Sequence, residues 1–267
     1  MTVTSPLNTY PISGFPMSRQ QLRRGDQKGP LYNFLNRLAT RDTVYFKDDF
    51  LGDTIDLNNY AVANGGGAAV ASFAITVAED GWIRATTGTA NGDTASASLI
   101  GPAIYKGDRN CGMEVRFKPV TAVTETKIEI GFVDVVPGST KAITNSLTTP
   151  SVNTSVVDAA IYVYNHTGST TTNELVTIGT TISAAKATFT PPTAIAAATI
   201  YTVRLQIQGN TVFLWMDGLL VATLAAAGTD YIEGGSAIAP WFYVRASDAN
   251  SKSLDVDSLE IWKDRAN

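Results

Sequence analysis

The chain has very little cysteine, histidine and charge. Among its 267 residues there are one cysteine, Cys111, and one histidine, His166, and charged residues make up only 16%. A single cysteine excludes an intrachain disulfide and a thiolate metal cluster. A nucleophile–histidine pair would have to use His166, which lies in the polar segment YVYNHTGSTTTN, and a solvated loop histidine is the simpler interpretation. These absences exclude most cysteine- and histidine-based catalysis.

Long apolar runs and a strong charge imbalance are also missing. No apolar run approaches the roughly 20 residues of a transmembrane helix, and the N-terminal MTVTSPLNTYPISG lacks the order of a secretory signal, a basic stretch followed by an apolar one. The net charge is −4. We therefore expect no membrane and no nucleic acid among the partners of this chain.

Charge and proline divide the chain into two predicted domains, 1–42 and 43–267. Residues 1–42 hold six basic and two acidic residues, whereas the remainder is acidic. Four prolines predict an extended arm, and the last of them, Pro30, begins a short helix with one apolar stripe. This domain either anchors the chain to an assembly or folds back onto its own acidic domain. The predicted anchor residues are Arg19, Arg23, Arg24, Lys28, Leu31, Phe34, Leu35 and Leu38.

From Thr43 onward the pattern is one of short strands separated by turns. In ATIYTVRLQIQ apolar and polar residues alternate, and the dipeptides Gly209-Asn210 and Asp217-Gly218 follow at hairpin spacing, so residues 199–224 predict a three-stranded meander. In the last strand the apolar residues change from even to odd positions, from Leu254 and Val256 to Leu259 and Ile261. This change near Asp257-Ser258 predicts a β-bulge. About a dozen such strands without a long helix indicate two packed antiparallel sheets.

Three segments carry a resemblance to a known fold. The opening strand YFKDDFLG, the meander YTVRLQIQGNTVFLWMDGLLVATL and the closing strand LDVDSLEIWKD are similar to the concanavalin A-like lectin and glucanase jelly rolls. This resemblance covers roughly residues 43–264 and implies an all-β, two-sheet jelly-roll sandwich, preceded here by the extended arm and the short helix. The same combination of arm and sandwich resembles components of tailed-phage virions.

The glucanase branch of this fold would imply a pair of catalytic carboxylates. Its Glu-x-Asp-x-x-Glu run does not occur in this chain. The nearest pair, Glu125 and Glu129 in ETKIEIG, is expected on a solvated strand face, opposite Ile128 and Ile130. We therefore expect that the chain is not an enzyme.

Two further properties follow from the resemblance. Sandwiches of this type often hold a Ca²⁺ ion between their first and last strands, and the matching residues here are Asp48 or Asp49 together with Asp257; beyond this calcium ion we expect no cofactor. Lectin-like domains stack sugars on exposed aromatic rings. In the run Trp241-Phe242-Tyr243 at least one ring must face outward, so Trp241 and Tyr243 are predicted to contact a glycan or another subunit.

Together these features predict a non-enzymatic structural protein of a tailed-phage virion. The leading hypothesis is a capsid decoration or cement protein that is assembled in the host cytoplasm, contacts the major capsid protein or another virion protein, and forms a homo-oligomer. The alternative is a carbohydrate-binding receptor module, tail-associated or free. A secreted glycan-active enzyme ranks third.

Overall fold

The fold was analysed on a computed structural model. It describes residues 9–12, 15–18, 43–50, 60–65, 72–76, 81–99, 105–106, 110–134, 143–145, 151–152, 156–179, 183–225, 232 and 236–264. The chain divides into two units, Met1–Val44 and Tyr45–Asn267. Within the described ranges the only regular elements are β-strands, and no helix there could span a membrane.

Twenty strands make up the described structure. In chain order they are β1 (Thr9–Ile12), β2 (Phe15–Ser18), β3 (Thr43–Asp48), β4 (Tyr60–Gly65), β5 (Ser72–Ile75), β6 (Ile83–Thr86), β7 (Thr94–Leu99), β8 (Tyr105–Lys106), β9 (Gly112–Pro119), β10 (Thr126–Val133), β11 (Ile143–Asn145), β12 (Ser151–Val152), β13 (Ala159–Thr167), β14 (Thr170–Gly179), β15 (Ser183–Thr188), β16 (Tyr201–Gln208), β17 (Thr211–Met216), β18 (Leu219–Ala225), β19 (Ala237–Ala246) and β20 (Ser253–Asp264).

In the N-terminal unit, strands β1 and β2 form a two-stranded antiparallel ribbon. The sequence predicted an extended arm without a core of its own, and this arm stays a prediction. The predicted helix and all eight predicted anchor residues lie outside the described residues. The anchoring role of residues 1–42 stays a prediction.

Two large antiparallel sheets form the second unit, as the sequence predicted. The first sheet has the order β15-β14-β13-β10-β19-β7-β4, and the second has the order β18-β17-β16-β9-β20-β6-β5. Strand β10 therefore lies at the centre of the first sheet and β9 at the centre of the second. Strand β18 ends the second sheet.

The predicted meander is confirmed. Strand β16 pairs with β17, and β17 pairs with β18. Backbone φ angles are positive at Gly209 (60°), Asp217 (51°) and Gly218 (79°), as tight two-residue hairpin turns require. In β16 the alternate residues are buried, so one side of the strand contributes to the core and the other faces outward.

The core lies between the inner faces of the two sheets. It contains alternate residues from the central strands of both, including Phe117, Tyr162, Tyr201 and Phe242, together with the thiol of Cys111. A second apolar cluster covers the outer face of the first sheet and includes Trp241, Tyr243, Ile161, Val163, Val176 and Ile178. The first sheet is therefore buried on both faces over its central strands.

The predicted bulge in the last strand is also confirmed. The register between β20 and β9 shifts between Val256 and Ser258. Leu254 and Val256 before the shift and Leu259 and Ile261 after it all lie in the core. One extra residue in β20 therefore keeps both halves of the strand facing inward.

Candidate functional site

A row of aromatic rings and one guanidinium group lies on the outer face of the second sheet. The guanidinium carbon of Arg204 is 4.9 Å from the centre of the Trp215 ring and 5.2 Å from that of Trp262. The Phe213 ring follows Trp215 at a centroid distance of 5.8 Å. These four residues, Trp262, Arg204, Trp215 and Phe213, are called the aromatic row below.

Strand alternation places this row outside the core. In β17 the residues Val212, Leu214 and Met216 are buried, whereas Phe213 and Trp215 are half-buried on the opposite face. Cross-strand pairing then sets Trp215 between Arg204 on β16 and Leu220 on β18. Aromatic rings are thus held side by side on a flat, hydrogen-bonded sheet.

A glycine lets Trp262 lie flat at one end of the row. Gly112 on β9 pairs with Trp262 on β20, and a Cβ at Gly112 would lie 2.5 Å from two carbons of the indole ring. The indole of Trp262 therefore packs directly against the backbone of Gly112, in the space that a side chain would fill. At the other end, Gln206 pairs with Phe213 and its Oε1 accepts a hydrogen bond of 3.1 Å from Arg204 Nη2. Gln206 thus adds an amide beside the rings.

A second charged cluster lies on the same face, near β6. Arg84 donates two hydrogen bonds to Asp255, at 2.6 and 2.9 Å, and Lys118 Nζ lies 3.4 Å from the same carboxylate. The hydrogen bond to Asp255 raises the pKa of Arg84 above its ordinary value. Lys118 also lies 4.4 Å from the centre of the buried Trp82 ring. This cluster covers Trp82, whereas Phe213 and Trp215 are half-buried on the same face.

Of the predicted calcium ligands, Asp49 directly follows β3 and Asp257 lies in β20, and the calcium site stays a prediction. Asp257 forms a short ion pair with Arg116 and so has a cationic partner. Asp49 is exposed. Within the described part of the chain, no group of three or more histidine, cysteine, aspartate or glutamate side chains could hold a metal ion. Calcium needs six to eight oxygen ligands, so this arrangement gives the predicted site no support.

The outer face of the first sheet carries a buried carboxylate, Glu129. Its Oε1 lies 2.9 Å from Lys127 Nζ, and its Oε2 accepts a hydrogen bond of 3.0 Å from Trp241 Nε1. The sequence predicted a solvated strand face here, and that prediction is wrong because β10 is a central strand and Glu129 has 0% of its surface exposed. A buried charge requires such partners.

A second carboxylate lies on the same face. Glu129 pairs across the sheet with Val163, and Val163 pairs with Glu174. Glu174 is buried and its Oε1 lies 2.8 Å from Lys186 Nζ. The two glutamates thus occupy one row of the sheet, separated by a single strand.

The predicted aromatic contacts, Trp241 and Tyr243, lie on this face as well. Their rings stack at a centroid distance of 5.9 Å. Both point away from the main core, because residues two apart in a strand share one face and Phe242 between them lies in the core. Both are buried, with 0% and 1% of their surface exposed. Burial, and next the nearby Glu129, raise the pKa of Tyr243 far above its ordinary value. Their role in ligand binding stays a prediction.

Glu125 and His166 lie together at one end of β10. Glu125 precedes the strand in a turn with a φ of 51°, so it does not share the strand face with Glu129 as predicted. His166 lies near the end of β13, and its Nδ1 accepts a hydrogen bond of 3.3 Å from the backbone N–H of Glu125. The histidine is therefore part of a sheet rather than of a loop.

Sequence reasoning missed the aromatic row. The alternation in ATIYTVRLQIQ placed Arg204 and Gln206 on the polar side of β16, but no ligand contact was predicted for Trp215 or Trp262. The signal was present in the alternation of TVFLWM, where Phe213 and Trp215 share the face opposite the core residues. The cross-strand register, which brings Arg204 between two indoles, was not available from the sequence.

Comparisons with known proteins support the fold. No family model and no curated protein matches this chain. A protein of unknown function from Shewanella oneidensis MR-1 is similar in structure, with a TM-score of 0.55, 16% identity and coverage of 89% of this chain and 97% of that one. A β-glucanase from Bacillus licheniformis matches with a TM-score of 0.54, 11% identity and coverage of 83% and 98%. A Crh5 transglycosylase in complex with NAG matches with a TM-score of 0.53, 17% identity and coverage of 84% of each chain. The chain therefore has a concanavalin A-like jelly-roll fold.

The expectation that this chain is not an enzyme is corrected by these comparisons. The glucanase and the transglycosylase share its fold over most of their length. That expectation also depended on a solvated Glu129, and Glu129 is buried in one row with Glu174. None of the compared structures bears on a virion role.

Proposed function

We propose that this chain is a carbohydrate-binding β-sandwich protein that uses the aromatic row on its second sheet. The observation that carries the proposal is the pair of neighbouring, half-buried rings of Phe213 and Trp215 on the outer face, flanked by Arg204 and Gln206. The ligand would be an uncharged glycan in which one face of a sugar ring packs against the indole of Trp215.

The chemistry of the row suits a sugar. One face of a pyranose ring is lined by C–H groups, and these pack against the electron-rich face of an aromatic ring. The hydroxyl groups at the sugar edge need hydrogen-bond donors and acceptors, which a glutamine amide and a guanidinium supply. Arg204 is held between two indoles, so little side-chain entropy remains to be lost on binding.

The names of the structural neighbours agree with this class of ligand. A glucanase and a transglycosylase with bound NAG both handle glycans. At identities of 11% and 17% these matches supply the fold only. The aromatic row therefore carries the assignment to carbohydrate.

A glycan array followed by calorimetric titration tests the proposal. We expect the wild type to bind one class of glycan and Trp215→Ala to weaken binding by at least about tenfold, since loss of a stacked ring costs on the order of 1.4 kcal/mol or more. Thr171→Ala, at an exposed position on the opposite sheet, is the control and should bind as the wild type does. The proposal is wrong if no glycan binds, or if Trp215→Ala binds as tightly as the wild type.

Turnover of a glycan on the outer face of the first sheet, on the other side of the sandwich from the aromatic row, is a second candidate function, favoured by the shared row of Glu129 and Glu174. Backbones two strands apart in a sheet are separated by about 9–10 Å, which is near the upper end of the roughly 6.5–9.5 Å between the carboxyl groups of inverting glycosidases. We expect slow release of reducing ends from a β-glucan by the wild type and none by Glu129→Gln. Equal release by both proteins, or release by neither, would reject this second candidate.

Attachment to a tailed-phage virion is proposed on the sequence of residues 1–42 alone. The basic side chains and the stripe Leu31, Phe34, Leu35 and Leu38 would dock on a capsid or tail protein, and the sandwich would face outward. Co-sedimentation with undecorated particles is expected for the full chain and not for a chain that starts at Asp42. Equal binding of both forms, or binding of neither, would reject the anchor.

A further inference from the structure

Strand β18 forms an open edge of the second sheet. Among the described strands, β17 alone pairs with it. The backbone N–H and C=O groups on its other side thus have no strand partner within the described ranges. Such groups are a template for a further extended chain, because a strand added there completes the hydrogen-bond ladder.

Exposed apolar side chains are concentrated at this edge. The large hydrophobic residues that are exposed within the described part of the chain are Ile200, Leu219 and Leu220, at 42%, 50% and 54%. Leu219 and Leu220 begin β18. Ile200 lies beside them, because Asp217 in the β17–β18 turn exchanges hydrogen bonds with the backbone of Thr202. Three such side chains at one corner form an apolar patch that continues onto Trp215, the cross-strand partner of Leu220.

The edge carries neither charge nor proline, two features that usually prevent strand pairing, although its register with β17 shifts between Leu220 and Ala222. Its sequence LLVATLA contains no charge and no proline over seven residues. By contrast, the edge strand of the first sheet, β15, carries Lys186 at its centre. Charged residues and prolines on edge strands keep soluble proteins from joining edge to edge.

We infer that two copies of this chain associate by antiparallel pairing of their β18 strands. An extended strand would complete the hydrogen-bond ladder of β18. Because β18 is uncharged, it offers no charge complementarity to a charged partner protein. Antiparallel pairing about a two-fold axis is self-complementary, so the same patch serves both sides. Two copies of the uncharged β18 can pair without like-charge repulsion. Two copies of β15 would bring the Lys186 side chains of both chains to the same interface.

This pairing would join the two second sheets into one continuous surface. The aromatic rows of both copies would then lie on the same side, with Trp215 and Leu220 near the junction. A glycan chain long enough to reach both rows would bind with an avidity above that of one row. The interface itself does not depend on glycan binding.

Sedimentation velocity of the full chain over a wide concentration range tests the inference, together with amide hydrogen exchange at low and high concentration. We expect a monomer–dimer equilibrium and slower exchange in residues 219–225 as the concentration rises. The double variant Leu220→Lys/Thr223→Lys places charge on the edge and should remain monomeric. Thr171→Lys, an exposed position on β14 of the other sheet, should dimerise as the wild type does.

The outcomes separate this interface from the proposed function. A wild type that is monomeric at all concentrations overturns the inference, and so does a dimer that survives the two lysines. Unchanged exchange in residues 219–225 on dimer formation would place the interface elsewhere and also overturn it. Circular dichroism and thermal unfolding of the double variant show whether it is folded. Failure of Trp215→Ala to lose glycan binding leaves the dimer result unaffected and rejects only the carbohydrate site.

Discussion

At the scale of single residues, the buried ion pair on β10 is the feature with the largest energetic consequence. Lys127 and Glu129 have 4% and 0% of their surface exposed, and each compensates the charge of the other. Taking an isolated charge out of water costs several kcal/mol, so neither residue is tolerated alone. The indole N–H of Trp241 satisfies the second carboxylate oxygen.

Removal of the carboxylate should therefore destabilise the fold strongly. We expect Glu129→Ala to lower the free energy of unfolding by about 3–5 kcal/mol, because Lys127 is left buried without its partner. The double variant Lys127→Met/Glu129→Leu should recover most of this loss. Lys47→Ala, which removes an exposed lysine 3.9 Å from Glu260, is the control and should cost less than about 1 kcal/mol. Urea unfolding measures all three, and an equal loss in the single and double variants would contradict the argument.

The close approach of the β13 backbone to Gly131 is the basis of a second prediction for a single residue. A Cβ at Gly131 would lie 2.1 Å from the carbonyl oxygen of Ala160 and 2.7 Å from the Cα of Ile161, both on the neighbouring strand. The backbone of β13 would have to move, so Gly131→Ala should cost roughly 1–3 kcal/mol or more in urea unfolding. Gly168→Ala separates crowding from backbone strain, because its added Cβ meets nothing within 4 Å although its φ is +62°. A smaller loss for Gly131→Ala than for Gly168→Ala would show that the strand can adjust.

At the scale of elements, the bulge in β20 decides which side chains enter the core. A strand alternates its faces at every residue, so one residue more or fewer moves all that follow to the other face. The extra residue near Asp257 keeps Leu259 and Ile261 in line with Leu254 and Val256. The bulge therefore matters more than the side chain of Asp257.

Deletion and substitution at Asp257 should differ sharply. Deleting Asp257 would turn Leu259 and Ile261 outward, and we expect loss of cooperative thermal unfolding. Asp257→Ala keeps the residue count and removes only the pair with Arg116, whose side chain is 45% exposed, so its cost should stay below about 1 kcal/mol. Thermal unfolding followed by circular dichroism compares them. Equal stability of the two variants would mean that the register can shift without penalty.

At the scale of the whole molecule, the core contains several buried tyrosines whose protonated form is favoured by folding. Burial raises the pKa of Tyr164 to about 12 and that of Tyr162 well above its ordinary value, with smaller contributions from neighbouring tyrosines. The hydroxyl of Tyr162 donates to Asn173 Oδ1 at 2.9 Å within the core. Ionisation of these phenols is therefore linked to unfolding.

Stability should fall at alkaline pH. An unfolded tyrosine ionises near pH 10, whereas folded Tyr164 ionises near pH 12, so the stabilisation is complete below about pH 10 and is lost as the pH rises through about 12. Urea unfolding at pH values on both sides of this range measures the loss. Tyr164→Phe removes one titrating group and should show a shallower decline. An identical decline in that variant would assign the pH dependence to other groups.

The sequence by itself determined that the described part of residues 43–267 forms short antiparallel strands joined by turns. Alternation in YTVRLQIQ, the dipeptides Gly209-Asn210 and Asp217-Gly218, and the parity flip near Asp257 are local signals that depend on the two-residue repeat of a strand. They predicted two antiparallel sheets, the meander and the bulge correctly. They also predicted that at least one ring of the run Trp241-Phe242-Tyr243 faces away from the main core.

Only the tertiary structure decided which strand is central, which is an edge, and which outward face is buried. Glu129 was predicted to be solvated because its neighbours alternate, yet its strand lies in the middle of a sheet that is covered on both faces. The Trp262–Arg204–Trp215 arrangement depends on the register of four strands, β17, β16, β9 and β20, and β18 ends its sheet only because of strand order. Strand order and register are set by contacts between residues far apart in the chain, and a period-two pattern is the same for every strand, wherever it lies in the sheet.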